Sequence, residues 1–121
     1  MTKIDLNKLV AHDWILAFNE HNLQNLLDLY ANDAEHFSPK LKIRQPESNG
    51  FINGKEAMKA WWDDAFERLP SLQYDLINLI ADEKQVFMEY IRKVDGEAEM
   101  RVAEVLEIVD GKIVKSRVYH G

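Results

Sequence analysis

Three side chains that can transfer a proton lie in segments with the residue pattern of β-strands. Glu104 stands between Ala103 and Val105 in an otherwise apolar run. A carboxyl group in apolar surroundings has a raised pKa, which makes Glu104 a candidate general acid or base. His36 lies in the middle of a short strand, and His120 is the penultimate residue. If all three face one cavity, the residue types predict an acid–base site that works near neutral pH, with the carboxylate fixing a histidine tautomer.

Each of these residues also has a structural interpretation. Glu104 can lie at a polar pocket floor, bonded to a neighbour or to water. His36 can be a buried histidine bonded by the loop at 40–49, and His120 can be exposed at a frayed end. Two histidines and a glutamate are also a recognised metal-ligand set, but no close spacing such as H-x-x-x-H is present. We therefore predict no metal and no cofactor.

Composition excludes several classes of protein. The chain has no cysteine, which excludes disulfides, thiolate zinc sites, Fe–S clusters and a cysteine nucleophile. Its 15 basic and 21 acidic residues give a net charge of −6, which argues against a nucleic-acid partner and against a polybasic membrane anchor. No segment approaches the roughly 20 apolar residues of a membrane span, and the N-terminus lacks the apolar run of a signal peptide. A single domain over residues 1–121 in the cytoplasm is expected.

The first part of the chain has helical periodicity. Three segments carry the apolar spacing of amphipathic helices: Asp5 to Glu20, Leu23 to about Asn32, and Asn53 to Leu69. Asp5 or Asn7 is the expected N-cap of the first helix. Between the second and third helices, Ala34–Ser38 predicts a short strand, and the aperiodic Lys40–Gly50 predicts a loop.

The second part of the chain has strand periodicity. Four segments rich in β-branched and aromatic residues follow Pro70: Leu72–Ile80, Gln85–Val94, Glu97–Val109 and Lys112–Tyr119. Asp95-Gly96 and Asp110-Gly111 are typical of type I′ hairpin turns. A two-residue turn at Asp95-Gly96 would place Phe87 opposite Glu104, whereas a bulge would exchange the two faces, so the inward residues of 86–94 stay open.

These elements predict an α+β fold. Three helices, two N-terminal and one after a short first strand, pack on one face of a curved antiparallel sheet that ends in a four-strand meander. The other face of the sheet also carries apolar residues, such as Ala103, Val105 and Val109. A second copy of the chain would cover that face, so we predict a homodimer through the outer face of the sheet.

Several segments carry a resemblance to a known family: Leu29–Pro39, Gly50–Met58, Leu69–Leu72 with Leu79–Asp82, and Val109–His120. Together with the order of elements, they resemble the nuclear transport factor 2-like superfamily, and most closely its small SnoaL-like proteins. The superfamily also includes ketosteroid isomerase, scytalone dehydratase, limonene epoxide hydrolase and polyketide cyclases. The resemblance implies a cone-shaped roll around a deep apolar pocket.

The resemblance also implies which residues line that pocket. They are Trp14, Phe18, Tyr30, His36, Ser38, Trp61 or Trp62, Glu104, Ser116, Val118 and His120. Strand alternation agrees with parts of this set, because it places His36 with Ser38 on one face, and Ser116 with Val118 and His120 on another.

At the three positions that act in ketosteroid isomerase, this sequence mostly has different residues. The tyrosine position falls on Trp14, the catalytic-base position falls on Ser38, and the protonated-acid position falls on Glu104. Only the last keeps its group, so steroid-type isomerisation through a strand-one carboxylate is not expected. A pair of pocket histidines is similar to scytalone dehydratase in residue type alone.

Two hypotheses about function remain. The first is a cofactor-independent isomerase, cyclase or dehydratase acting on a small apolar carbonyl-bearing molecule. Glu104 and His36 would transfer protons, His120 would assist, and Ser38 and Trp14 would orient the ligand. The second is a non-catalytic dimer of the same fold that binds a small ligand or associates with a protein. The missing carboxylate at Ser38 favours the second hypothesis, and the possible Glu–His cluster favours the first.

Overall fold

Helices cover one face of a six-stranded sheet in the computed structural model, which describes residues 1–121. The elements are α1 (Lys3–Asn19), α2 (Leu23–Asp28), β1 (Tyr30–Phe37), α3 (Pro39–Arg44), a 3₁₀ turn (Pro46–Ser48), β2 (Phe51–Asn53), α4 (Lys55–Arg68), β3 (Gln73–Ala81), β4 (Gln85–Lys93), β5 (Met100–Val109) and β6 (Lys112–His120). The predicted α+β fold with a C-terminal meander is confirmed.

The curved sheet is open and has the strand order β2-β1-β6-β5-β4-β3. All neighbouring strands are antiparallel except β1 and β6, which are parallel, so the sheet is mixed where an antiparallel one was predicted. The physical reason is that β1 does not continue into the meander. Its connection to β6 runs through α3, β2, α4 and three further strands, and a long crossover permits parallel pairing.

The segment predicted as a loop, Lys40–Gly50, contains most of α3 and the 3₁₀ turn, and β2 begins at the next residue, Phe51. The start signal for α3 is local, because the Ser38 hydroxyl accepts a hydrogen bond from the Lys40 amide at 3.2 Å and Pro39 occupies the first helical position. The segment returns to the sheet at Gly50, whose φ is 92°. A Cβ there would lie 2.6 Å from the Phe37 ring, so this close approach requires glycine.

Two local predictions had different outcomes. The N-cap of α1 is Thr2, and Asp5 is its capping-box partner, so the predicted cap at Asp5 or Asn7 is wrong. Asn7 is buried instead, and its amide donates to the Asp82 carbonyl at 3.0 Å. The turn at Asp110-Gly111 has φ values of 49° and 77°, as a type I′ turn requires.

The β4–β5 connection decides which residues face inward. The strands are joined by a six-residue segment, 94–99, and not by a two-residue turn. The ladder therefore pairs Met88, and not Phe87, with Glu104. This register gives β4 an inward face of alternating buried residues: Val86, Met88, Tyr90 and Arg92.

The core lies between the helices and the concave face of the sheet. Its largest fully buried side chains include Trp14, Tyr30, Tyr90 and Phe18. The opposite face leaves large apolar side chains exposed, among them Ile80, Phe87 and Tyr119. A homodimer through this face stays a prediction. No helix of the chain has both the length and the apolar character needed to cross a bilayer.

Candidate functional site

A cavity of about 270 Å³ opens between the helices and the inner face of the sheet. This volume is just below the usual range for ligand pockets, about 300–1,000 Å³, so the cavity suits a small ligand. Eight of the ten predicted site residues line it: Trp14, Phe18, His36, Ser38, Trp61, Glu104, Val118 and His120. The other two, Tyr30 and Ser116, are buried behind the wall of the cavity and do not line it.

Tyr30 and Ser116 belong to a buried chain of hydrogen bonds that ends at His36. The indole Nε1 of Trp14 donates to the Tyr30 hydroxyl at 3.0 Å, and the Tyr30 hydroxyl donates to Ser116 Oγ at 2.9 Å. Ser116 Oγ lies 2.7 Å from Nδ1 of His36. All four side chains are buried, so no member of the chain can exchange its partner for bulk water.

The direction of this chain follows from its first member, because an indole N–H can only donate. The Tyr30 hydroxyl already accepts from Trp14, and its own proton finds an acceptor at Ser116. Nδ1 of His36 is then the neighbour in the chain that can accept the Ser116 hydroxyl proton, which assigns Ser116 as the donor of this bond. Burial lowers the pKa of His36 to about 3, so the ring is neutral at pH 7. A neutral ring that accepts at Nδ1 carries its proton on Nε2.

This tautomer changes the role predicted for His36. Nε2 has no hydrogen-bond partner in the chain, and His36 lines the cavity. The residue therefore offers a ligand a neutral N–H donor, and its basic nitrogen is turned away and already bonded. A neutral imidazole of this kind can stabilise negative charge that develops on a ligand oxygen.

Glu104 on β5 is the buried acid of the cavity, with 1% of its surface exposed. Its Oε1 accepts a hydrogen bond from the Tyr90 hydroxyl at 2.7 Å, whereas its Oε2 is fully buried and has no partner. Burial raises the pKa of Glu104 to about 8, and the hydrogen bond from Tyr90 offsets part of that increase. The carboxyl group is thus mostly protonated at pH 7 and can gain or lose a proton close to that pH.

Tyr90 is a site residue that the sequence reasoning missed. It lines the cavity beside Arg92, which is two residues further along β4 and also lines it. The period of two that groups Tyr90 and Arg92 with Val86 and Met88 was visible in the sequence. It could not be assigned to a face before the register against β5 was known.

Stacked aromatic rings form the apolar wall. The Tyr74 ring lies 4.0 Å from the Phe18 ring and 4.1 Å from the Tyr90 ring, centroid to centroid, and Trp14 stacks on Phe18 at 5.3 Å. Burial raises the pKa values of Tyr74 and Tyr90, so both hydroxyls are neutral. These rings favour a flat, apolar ligand body.

Trp61 and Trp62 both line the cavity, on adjacent positions of α4. Trp62 is the buried one, and its ring lies 5.1 Å from the His36 ring and 5.3 Å from the Tyr30 ring. Trp61 is half-buried and packs against the edge of the core. Trp62 therefore packs against the His36 end of the hydrogen-bond chain. Trp61 cannot make the same contact, because adjacent residues of a helix point in different directions.

Ser38 and His120 both line the cavity but differ in burial. Ser38 is buried, and its hydroxyl caps α3 through the Lys40 amide. His120 is exposed at the end of β6 while still lining the cavity. Partial burial lowers the pKa of His120, and the positive charges of Lys40 and Arg92 lower it further. No three His, Asp or Glu side chains come together as a set that could bind a metal ion.

Comparison with known proteins agrees with this architecture. A family model described as a SnoaL-like domain matches residues 11–116. A SnoaL-like protein of unknown function from Burkholderia thailandensis is 27% identical, with a TM-score of 0.87 over 97% of this chain and 95% of that one. An NTF2-like protein from Anabaena variabilis is 23% identical, with a TM-score of 0.78 over 100% and 93%.

A more distant structure has a named activity class. A candidate ketosteroid isomerase from Kribbella flavida is 17% identical, with a TM-score of 0.81 over 100% of this chain and 82% of that one. At this identity the likeness concerns the fold alone. Among curated proteins, none matches the sequence.

Proposed function

Because the chain belongs to the SnoaL-like family, we propose that it is a cofactor-independent acid–base enzyme acting on a small apolar molecule with a carbonyl group. The observation that carries this proposal is Glu104, a buried carboxyl group in a ligand-sized cavity with one oxygen that has no partner. A group left unpaired in this way is costly for folding, and a proton-bearing ligand would satisfy it.

The proposed reaction begins with the Glu104 carboxylate. Its Oε2 removes a proton from the carbon next to the ligand carbonyl, and the electron pair of that C–H bond moves to form the enolate. Nε2–H of His36 donates a hydrogen bond to the enolate oxygen. Glu104, which exchanges its proton with water while the enolate is bound, then protonates the ligand again: at another atom this completes an isomerisation, and at the original carbon in D₂O it leaves a deuterium. Isomerases, cyclases and dehydratases share the first proton removal.

Exchange of ligand hydrogens with solvent tests the first step without knowledge of the product. Small ketones and lactones would be incubated with the protein in D₂O, and loss of the signals next to the carbonyl would be followed by ¹H NMR. We expect the wild type to exchange at least one compound faster than buffer, and E104Q to lose that activity. The matched control is E107Q, because Glu107 lies on the same strand and bonds to Arg117 instead of lining the cavity.

The dependence of the exchange rate on pH provides a second test of Glu104 as the base. Since half of Glu104 is in the base form at its pKa of about 8 and nearly all of it at higher pH, the exchange rate should rise with pH through that value and then level off. Exchange that survives in E104Q, or a rate that falls between pH 6 and 8, would contradict the assignment of Glu104 as the base.

Binding without turnover is the second candidate function. It is favoured by Ser38, which caps a helix where an isomerase would carry a carboxylate. In that case ligands would bind, as measured by calorimetry, and no member of the panel would exchange its hydrogens above the buffer rate.

A further inference from the structure

The mouth of the cavity has an unusual balance of charge for this chain. Apart from the deeply buried Glu104, its lining includes four cationic side chains and one carboxylate, those of Lys40, Arg44, Arg68, Arg92 and Glu97. The chain as a whole has a net charge of −6. A concentration of positive charge at a cavity mouth on an acidic protein favours an anionic ligand, because a cleft focuses the field of the charges that line it.

The carboxylates near the mouth do not neutralise these cations. Arg68 and Arg44 share Asp64, at 2.7 Å and 3.9 Å, and Arg92 pairs with Glu97 at 2.8 Å. Three of the four cations therefore share two carboxylates, and Lys40 has no ion pair. Partial burial lowers the pKa of Lys40, the charges of Arg92, Arg68 and Arg44 lower it further, and the charge of Glu97 offsets part of this decrease.

Arg92 has the geometry of a binding group. Only 5% of its surface is exposed, and it lines the cavity. A guanidinium group has five N–H donors, and within the chain the only acceptor bonded to Arg92 is Glu97, at Nη1. Its other donors have no partner in the protein. A planar carboxylate is the group that the fork of an arginine binds best.

We propose that the ligand of this cavity carries a carboxylate that binds between Arg92 and Lys40, with its apolar body against the aromatic wall and its carbonyl group at Glu104. Arg92 follows Tyr90, the partner of Glu104, by two residues on the inward face of β4. Two residues of a strand span about 7 Å, a length similar to that separating para substituents of a benzene ring. This inference rests on the proposed function only in sharing its cavity and its carbonyl site.

A matched set of three compounds tests the charge preference: 4-acetylbenzoate, its methyl ester, and acetophenone. All three have the same ring and ketone, and only the first is anionic at pH 7. We expect calorimetry to show that 4-acetylbenzoate binds about tenfold more tightly than the two neutral compounds. This preference should shrink as salt is added, since salt screens charges at an open mouth.

Two variants test whether the cations at the cavity mouth cause the preference for the anionic compound. K40M and R92M should each reduce the affinity for 4-acetylbenzoate several-fold and leave the affinity for acetophenone unchanged. K42M is the matched control, because Lys42 lies on the same helix, is exposed and does not line the cavity. If R92M does not fold, K40M alone decides the assignment.

The outcomes separate this inference from the proposed function. Equal affinity for the acid and its methyl ester would overturn the carboxylate site, whether or not the compounds exchange hydrogens. A charge preference that depends on Lys40, without hydrogen exchange, would support the site and count against the enzyme. Absence of binding by all three compounds would contradict both.

Discussion

Replacing Glu104 with glutamine should remove a pH-dependent cost of folding. The carboxyl group has a pKa of 4.5 in the unfolded chain and about 8 in the fold, because folding moves it out of water. With 1% of its surface exposed, solvent does not screen this effect. Below pH 4.5 the carboxyl group is protonated in both states and adds no cost. As the pH rises towards 8, the unfolded state gains a charge that the folded state resists.

The magnitude follows from linkage between protonation and folding. The free energy of unfolding should fall by about 1.4 kcal/mol for each pH step between the two pKa values, or roughly 5 kcal/mol in all. Above pH 8 both states are ionised, and the decline should stop. E104Q cannot ionise at this position, so the difference in stability between variant and wild type should grow from pH 5 to pH 8 in favour of the variant.

The ionisation of His36 makes the free energy of unfolding depend on pH in the opposite direction. Burial lowers its pKa from 6.5 to about 3, so its contribution to stability is complete above pH 6.5 and is lost as the pH falls towards 3. Between pH 4.5 and 6.5, Glu104 lowers the free energy of unfolding with each pH step by as much as His36 raises it. These two groups alone therefore predict a stability plateau in that window, with an alkaline decline due to Glu104 and an acid decline due to His36.

Urea unfolding followed by tryptophan fluorescence measures these curves at fixed protein concentration. E104Q should lose the alkaline decline and keep the acid one, H36Q should do the reverse, and E107Q should follow the wild type. A stability difference between E104Q and the wild type that stays constant from pH 5 to pH 9 would show that burial does not raise the pKa of Glu104. The proposed role of Glu104 as an acid–base group, which depends on that raised pKa, would then also be refuted.

Three further variants probe other parts of the structure. W14A should lower the free energy of unfolding by about 3–5 kcal/mol through the cavity it leaves, and a loss under about 1 kcal/mol in urea unfolding would contradict the packing. S116A should cost about 1–3 kcal/mol, because it leaves the buried Tyr30 hydroxyl without an acceptor and Nδ1 of His36 without a donor. An NMR signal of His36 identical to that of the wild type would refute the hydrogen-bond chain. F87K should convert the predicted homodimer to a monomer in sedimentation without unfolding it, whereas an unchanged sedimentation coefficient would place the interface elsewhere.

Local signals account for the parts of the fold that could be predicted. The apolar spacing of α1 and α4, and the residues of the turn at Asp110-Gly111, act over a few positions and need no distant partner. The helix at Pro39–Arg44 also had a local signal, a serine followed by proline, but the same residues are typical of a strand that ends in a loop. Leu41 of this helix is fully buried, a tertiary contact that the local residues do not report.

The sequence by itself determined which groups could do chemistry. Alternation along the strands placed His36 with Ser38, and it placed Glu104 in an apolar strand, because the side-chain period of a strand is a local property. The acid–base hypothesis and the fold class both follow from such local patterns.

Only the tertiary structure decided what those groups do. The register of β4 against β5 brought Tyr90 to Glu104 and Arg92 to the lining of the cavity. Folding also joined Trp14 to His36 through residues far apart in the chain, and so set the tautomer of that histidine. The physical reason is that burial and hydrogen-bond partners set a pKa and a proton position, and both exist only once distant segments have packed together.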